Sequence, residues 1–180
     1  MSRFSRIQRG ALCALLASVA LLAGSGWSWA HDRAITRLRG ALEVPALSTP
    51  GGGRFEASIG DDEITYQLNY SHLKGAVTQA HIHLGQRDVN GGIMVFLCSN
   101  LPGAPAGTQP CPASPGEISG TIHASDVIGP AGQGISPGEF HEVLRAMRIG
   151  ITYVNVHTDL FQGGEIRGQL LFIREDDDGH

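Results

Sequence analysis

The stretch TQAHIHLG, residues 78–85, alternates apolar and polar side chains along its length. Successive side chains of a β-strand point to opposite faces, so Ala80, Ile82 and Leu84 share one face. His81 and His83 share the other. One apolar and one polar face are typical of a half-buried strand in an antiparallel sheet. The stretch therefore predicts a strand that presents two imidazoles on a single face.

The same period of two recurs through the rest of the chain. Turn-forming clusters such as PGGG (50–53), GDD (60–62) and NGG (90–92) separate several of these runs. The pattern predicts an all-β sandwich or barrel of about eight strands. The further alternating runs are residues 35–44, 53–58, 63–70, 92–98, 116–124, 151–158 and 164–173.

One segment follows helical spacing instead. Ser136 is a good N-cap, Pro137 fits the first helical position, and Glu139 lies three residues after the cap. Apolar residues then recur at helical intervals, and Gly150 is a suitable C-terminal stop. The sequence predicts one short helix over residues 136–149, whose core-facing residues are Phe140, Val143, Leu144 and Met147.

The first thirty residues have the pattern of a secretory signal peptide. Three arginines within residues 1–9 precede an apolar run at residues 11–24, and Ser28 and Ala30 suit a cleavage site. A transmembrane anchor is the alternative, but the run is short of the roughly 20 apolar residues that a span needs. We expect cleavage near Ala30, a single β-domain over residues 31–174, an acidic tail at residues 175–180, and no membrane span after cleavage.

The expected mature chain is acidic. All 17 acidic residues but only 10 of the 13 basic residues follow residue 30, which gives this part a formal charge of −7. The sequence contains no run of basic residues, so nucleic acid and anionic lipid are not expected partners. A protein or a small ligand remains as the expected partner class.

Two cysteines, Cys98 and Cys111, remain after the predicted cleavage. In an exported protein an even pair of cysteines favours a disulfide, here closing a loop rich in Pro and Gly. Paired thiolate metal ligands are the less favoured alternative. Both the predicted leader and this pair indicate a periplasmic or extracellular protein.

Residues 151–158, ITYVNVHT, repeat the arrangement of the opening stretch. Asn155 and His157 share a face opposite Val154 and Val156. If this strand lies beside residues 78–85, His157 joins His81 and His83 in a three-nitrogen set suited to copper or zinc. Glu165 would then be a fourth ligand or a hydrogen-bond partner of the ligands, and Asn155 and Arg167 would be further hydrogen-bond partners.

Other interpretations of these residues stay open. The same polar side chains would also serve as a hydrogen-bonded structural network or as contacts for an unidentified ligand, with Arg167 paired to Glu43 or Glu165. Cleavage after Ala30 would also expose His31, whose amino group and ring nitrogen together suit copper. We predict a metal site at His81, His83 and His157 as one alternative.

These motifs together resemble the CHRD domain family, the module named after chordin and also found in exported bacterial proteins. The matching stretches are LRGALEVPALSTPGGG (38–53), AHIHLG (80–85), YVNVHT (153–158) and GGEIRGQL (163–170). The resemblance implies a Greek-key or immunoglobulin-like β-sandwich. It also implies that the family's recurring residues fall on His81, His83, Asn155, His157, Glu165 and Arg167.

The resemblance carries no activity over to this chain. The sequence has no nucleophile elbow, no Gly-rich phosphate loop and no patterned pair of carboxylates, so catalysis is not favoured. We therefore expect an exported, non-catalytic binding or structural module. The alternative is a copper or zinc protein, and a metal-dependent enzyme is less favoured than either.

Overall fold

The computed structural model describes residues 32–174. The predicted signal peptide, His31 and the predicted acidic tail lie outside the described residues. Nine strands and one α-helix, α1 (Phe140–Arg148), make up the regular structure of this part of the chain. The strands are β1 (Asp32–Arg39), β2 (Gly52–Ile59), β3 (Ile64–Ser71), β4 (Val77–Leu84), β5 (Gly92–Ser99), β6 (Gly116–Ile122), β7 (Thr152–Thr158), β8 (Ile166–Gln169) and β9 (Leu171–Ile173).

The strands form one antiparallel sheet in the order β5-β4-β7-β8-β1-β2-β3-β6, with β9 also paired to β1. The sheet curls into a nearly closed barrel, which confirms the all-β prediction. Of the two predicted architectures, sandwich and barrel, the barrel is the one observed. The decisive pairing for the site is β4 with β7, which are distant in sequence. Their register sets Gln79 opposite His157, His81 opposite Asn155, and His83 opposite Tyr153.

The two strands that end the sheet, β5 and β6, are joined through a side chain. The Gln109 amide nitrogen lies 3.2 Å from the Leu97 carbonyl oxygen of β5 and 3.1 Å from the Ser119 carbonyl oxygen of β6. The loop that carries Gln109 is closed by a disulfide between Cys98 and Cys111, which confirms the predicted bond. This loop thus covers the seam between the sheet's two edges.

The core lies inside the barrel and follows the alternation of the strands. Ala80, Ile82 and Leu84 of β4 are buried in it, as the sequence predicted. Helix α1 adds its apolar face to the same core. Helix α1 contributes Phe140, Val143, Leu144, Ala146 and Met147 to this core.

Among residues 32–174, no helix has the length and apolar character that crossing a bilayer requires.

The helix is confirmed, but it begins four residues later than predicted. Gly138 has φ +86°, in the left-handed region, which an α-helix does not admit. The Ser136 amide donates to the Glu139 carboxylate at 2.6 Å, so residues 136–139 form a turn ahead of the helix. Gly150, with φ +75°, follows the helix end as expected.

Two predicted strands also differ in extent. The strand predicted over residues 35–44 ends at Arg39, because Gly40 starts a short 3-10 turn. The Gly40 carbonyl accepts hydrogen bonds from the amides of Glu43 and Leu47. The run 164–173 divides at Leu170, whose amide donates to the Thr152 carbonyl at 2.9 Å. Strand β8 lies between β7 and β1 and pairs with both, whereas β9 pairs with β1.

Candidate functional site

Three histidines meet on the outward face of β4 and β7. His81 Nδ1 lies 3.1 Å from His157 Nε2. One ring nitrogen of His83 completes a group in which all three nitrogens lie within 4.8 Å of one another. The strand pairing produces this convergence, because the outward side chains of adjacent strands share one surface. The three histidines singled out from the sequence are thus neighbours in the fold.

Backbone carbonyls fix the protonation of two of these rings. His83 Nδ1 lies 3.0 Å from the Gly91 carbonyl oxygen, and His157 Nδ1 lies 2.8 Å from the Gln162 carbonyl oxygen. A carbonyl oxygen only accepts, so each Nδ1 carries the proton and each Nε2 has a free lone pair. His157 Nε2 can then accept a hydrogen bond from His81 Nδ1–H or, equally, a metal ion.

The remaining ring nitrogens have no partner among the described residues. His81 Nε2 and His83 Nε2 are buried and have no partner within hydrogen-bond distance and angle, although the nearby Asn155 side chain acts to raise the pKa of His83. Leaving a buried polar atom unpaired costs about 1–3 kcal/mol, and such atoms are rare in folded proteins. These two atoms belong to neighbouring rings whose centroids lie 5.3 Å apart, so His81 and His83 are residues that could hold a metal ion together.

The site keeps its imidazoles neutral. Burial, with smaller contributions from the neighbouring histidines, lowers the pKa of His81 to about 2. Burial likewise lowers the pKa of His83 to about 4, and it lowers the pKa of His157. Neutral imidazole is the form that binds a metal ion. The lone pairs therefore stay available well below neutral pH.

Aromatic and cationic side chains hold the rings in place. Phe96 of β5 meets the His81 ring edge-on, with the ring centroids 4.4 Å apart. Tyr153 stacks on His83 at 4.7 Å with only 3° between the ring planes. The Arg167 guanidinium covers Tyr153, 3.4 Å from the ring centroid. The resulting stack of Arg167, Tyr153 and His83 fixes the orientation of His83.

Arg167 also organises the loop that supplies the Gly91 carbonyl. Its guanidinium donates to Asn90 Oδ1 at 2.9 Å and to the Val89 carbonyl at 2.7 Å. It is buried at 2 % exposure. The ion pairs found among residues 32–174 do not include the Arg167–Glu43 or Arg167–Glu165 pairs that the sequence suggested.

A carboxylate and a carboxamide adjoin the histidines. Glu43 Oε1 and Asn155 Oδ1 are both buried without a hydrogen-bond partner in the described part of the chain. Burial raises the pKa of Glu43 to about 7, although Arg167 lowers it in part. Gly164 makes room for them: a Cβ there would lie 2.5 Å from Glu43 Oε1 and 2.8 Å from Asn155 Nδ2.

Glu165 has a different environment from the one expected for a ligand or a partner of the ligands. Its carboxylate accepts hydrogen bonds from the Thr49 hydroxyl at 2.6 Å, the Lys74 amide at 2.7 Å and the Thr158 hydroxyl at 2.9 Å. Burial acts to raise its pKa, but these donors outweigh that effect and lower it. Glu165 joins three segments of chain and makes no hydrogen bond to a histidine.

A family model for the CHRD domain matches residues 35–170, which is more than half of the chain. The chain belongs to the CHRD domain family. Comparisons with curated proteins and with solved structures found no match. The matched range of this CHRD domain spans all three histidines, as the motifs quoted from the sequence indicated.

Several parts of the CHRD domain's site escaped the sequence analysis. The Gly91 and Gln162 carbonyls fix two histidine rings, but every residue has a backbone carbonyl, so residue types did not indicate them. Phe96 lies in a largely apolar run and had no reason to be singled out. The burial of Glu43 was also unforeseen, since the sequence suggested it only as an ion-pair partner of Arg167.

Proposed function

We propose that this CHRD domain is an exported, non-catalytic module that binds one zinc or copper ion through His81, His83 and His157. The observation that carries the proposal is the pair of buried ring nitrogens without partners, His81 Nε2 and His83 Nε2. Beside them His157 Nε2 has its lone pair directed at His81. A metal ion would take the lone pairs of His83 Nε2, His157 Nε2 and one ring nitrogen of His81, whose other ring nitrogen would carry the proton.

The arrangement around the rings supports a metal ligand set. Metal-binding histidines usually donate the other ring N–H to a carbonyl or carboxylate, which fixes the ring and raises its basicity. His83 and His157 both do so, through Gly91 and Gln162. Two nitrogens bound to one tetrahedral zinc ion lie about 3.3 Å apart. The 3.1 Å between His81 Nδ1 and His157 Nε2 is close to that spacing, which fits an ion bound through His81 Nδ1 with the ring proton on Nε2.

The site is buried, which favours a bound metal ion over catalysis on a substrate. His81 and His83 are 1 % and 6 % exposed, and Glu43 and Asn155 beside them are also buried. Catalytic zinc sites keep one position open to water and substrate, whereas structural sites are closed. Asn155, opposite His81 in the β4–β7 register, is the neighbouring side chain that could supply a fourth group.

The disulfide supports export. Bonds such as Cys98–Cys111 persist in oxidising compartments and are rare in the reducing cytosol. Together with the leader-like residues 1–30, the disulfide supports a periplasmic or extracellular location.

The test is the metal content of the purified protein, measured by inductively coupled plasma mass spectrometry. We expect one equivalent of zinc or copper, or its uptake by the metal-free protein in calorimetry. His81→Ala and His83→Ala should lose the metal. His141→Ala is the matched control, since His141 is an exposed helix residue and its removal should leave binding unchanged.

A structural role without metal is the second candidate. It is supported by the His81–His157 hydrogen bond and by the stack of Arg167, Tyr153 and His83. In that case the purified protein takes up neither zinc nor copper, and His81→Ala and His83→Ala only lower the melting temperature.

A further inference from the structure

The outward face of β1 and β2 carries a cluster of arginines that the linear sequence conceals. Alternation sends Arg33, Arg37 and Arg39 of β1 to the same side, and the β1–β2 register places Arg54 directly opposite Arg37. Other residues interleave with them, so no basic run appears in the sequence. The fold thus creates a basic surface on a chain whose described part has 13 acidic and 10 basic residues.

Carboxylates neutralise little of this surface. Glu56 is the one acidic residue facing outward from β1 and β2, and it pairs with both Arg33 and Arg54. Arg37 and Arg39 are exposed and form no ion pair with any residue between 32 and 174. Like charges set opposite each other on adjacent strands destabilise a sheet. Arg37 and Arg54 hold that arrangement, which an anion would relieve.

A groove of about 590 Å³ runs beside the unpaired arginines. Arg37 and Arg39 line one side, and the segment from Leu47 to Gly53 lines the other. Lys74 adds a fifth cation, because its Nζ donates to the Ser48 carbonyl at 3.0 Å on the rim of the groove. The groove therefore combines cationic side chains with the exposed hydroxyl of Ser48.

We infer that this surface, the arginine face of β1 and β2 with its groove, binds an acidic polysaccharide. Residues two apart on a strand lie about 6.7 Å apart, so Arg33 and Arg39 stand about 20 Å apart along β1. The four arginines against the single Glu56 leave this face with a net charge of +3. A charged surface of that length exceeds a single small anion and suits a polymer that carries several sulfate or carboxylate groups. Guanidinium groups bind such oxyanions through paired hydrogen bonds.

The neighbouring side chains favour a sugar polymer over nucleic acid. Outward-facing positions of β3 next to the arginines carry hydroxyl and amide groups, including Thr65 and Asn69, which are exposed. Such groups hydrogen-bond readily to sugar hydroxyls. Single-stranded nucleic acid is typically held by aromatic side chains that stack on bases. None of the outward-facing residues of β1, β2 and β3 is aromatic.

The test is a calorimetric titration of the purified protein with short dextran sulfate at physiological ionic strength. Uncharged dextran of the same length serves as the matched probe. Arg37→Gln with Arg39→Gln should weaken dextran sulfate binding roughly tenfold and reduce the slope of log Kd against log salt concentration by about 2. The control is Arg145→Gln with Arg148→Gln, which removes the same charge from the helix and should change Kd little.

Several results would overturn the inference. Equal weakening by the two double variants would show that net charge alone governs binding. Tighter binding of single-stranded DNA or of anionic phosphatidylglycerol vesicles than of dextran sulfate would assign the surface to those partners instead. Binding of neither dextran sulfate nor polygalacturonate would rule out an acidic polysaccharide as the ligand. Arg37→Lys with Arg39→Lys keeps the charge but loses the paired guanidinium hydrogen bonds, so a Kd between those of the original protein and the Gln double variant would support the inference.

Discussion

His81 Nδ1 lies 3.1 Å from His157 Nε2, although 76 residues separate the two histidines in sequence. Adjacent strands β4 and β7 bring them together, and the Gln162 carbonyl sets the orientation of the His157 ring. The distance fits a hydrogen bond between two neutral imidazoles and equally fits two ligands of one ion. Stability measurements on the metal-free protein probe this contact directly.

Replacing His81 with Gln will reduce the acid sensitivity of the metal-free protein. Burial lowers the His81 pKa from 6.5 to about 2 in the folded state. Between pH 6.5 and about pH 5 the unfolded chain therefore binds a proton that the folded chain does not. That difference lowers the free energy of unfolding by about 1.4 kcal/mol for each pH unit of acidification. The variant lacks this dependence.

Urea unfolding over that pH range, in the presence of a chelator, measures the difference. His141→Gln changes an exposed histidine and should follow the original protein at every pH. Parallel stability curves for His81→Gln and the original protein would contradict the burial of an uncharged His81.

Replacing Glu43 with Gln will have the opposite sign. Burial raises the Glu43 pKa from 4.5 to about 7, so the folded state binds the extra proton between these values. The stability that this group contributes is complete below pH 4.5 and is lost as the pH rises through 7. We expect Glu43→Gln to be more stable than the original metal-free protein at pH 8, by at most about 3 kcal/mol.

The stability difference between Glu43→Gln and the original protein should disappear near pH 4.5, where Glu43 and the glutamine that replaces it are both uncharged. Glu63→Gln, in an exposed turn, is the control and should show no such trend. A stability difference that stays constant from pH 4.5 to pH 8 would rule out a neutral buried Glu43.

Replacing Arg167 with Lys will destabilise the fold by about 3 kcal/mol, because the substitution removes a stacked guanidinium and several of its hydrogen bonds. Asn90, Val89 and Tyr153 each lose a contact. Urea denaturation measures the loss. Arg145→Lys, at a side chain 70 % exposed, should stay within about 0.5 kcal/mol of the original protein.

Removing the disulfide with Cys98→Ser and Cys111→Ser will cost about 3 kcal/mol, because the bond closes a loop of 13 residues' separation. The loop carries Gln109, so amide exchange should accelerate along β5 and β6, where its side chain bridges the seam. Denaturation and hydrogen exchange measure both effects. A reducing agent should reproduce them in the original protein and leave the double variant unchanged.

Local pattern determined much of the fold. A period of two in short runs separated by turn residues requires strands that bury one face, and the spacing of Phe140, Val143, Leu144 and Met147 requires a helix. These are properties of neighbouring residues, so they can be read without coordinates. The same alternation assigned His81, His83 and His157 to polar faces of their strands.

The tertiary structure alone decided which faces meet. Nothing local pairs β4 with β7 or sets Arg37 opposite Arg54, because strand order depends on long-range contacts and on closure of the sheet. Ring orientation depends on the carbonyls of Gly91 and Gln162, and every residue has a carbonyl. Burial, which sets the pKa values of His81 and Glu43, arises only when loops distant in sequence cover the outward face of the barrel.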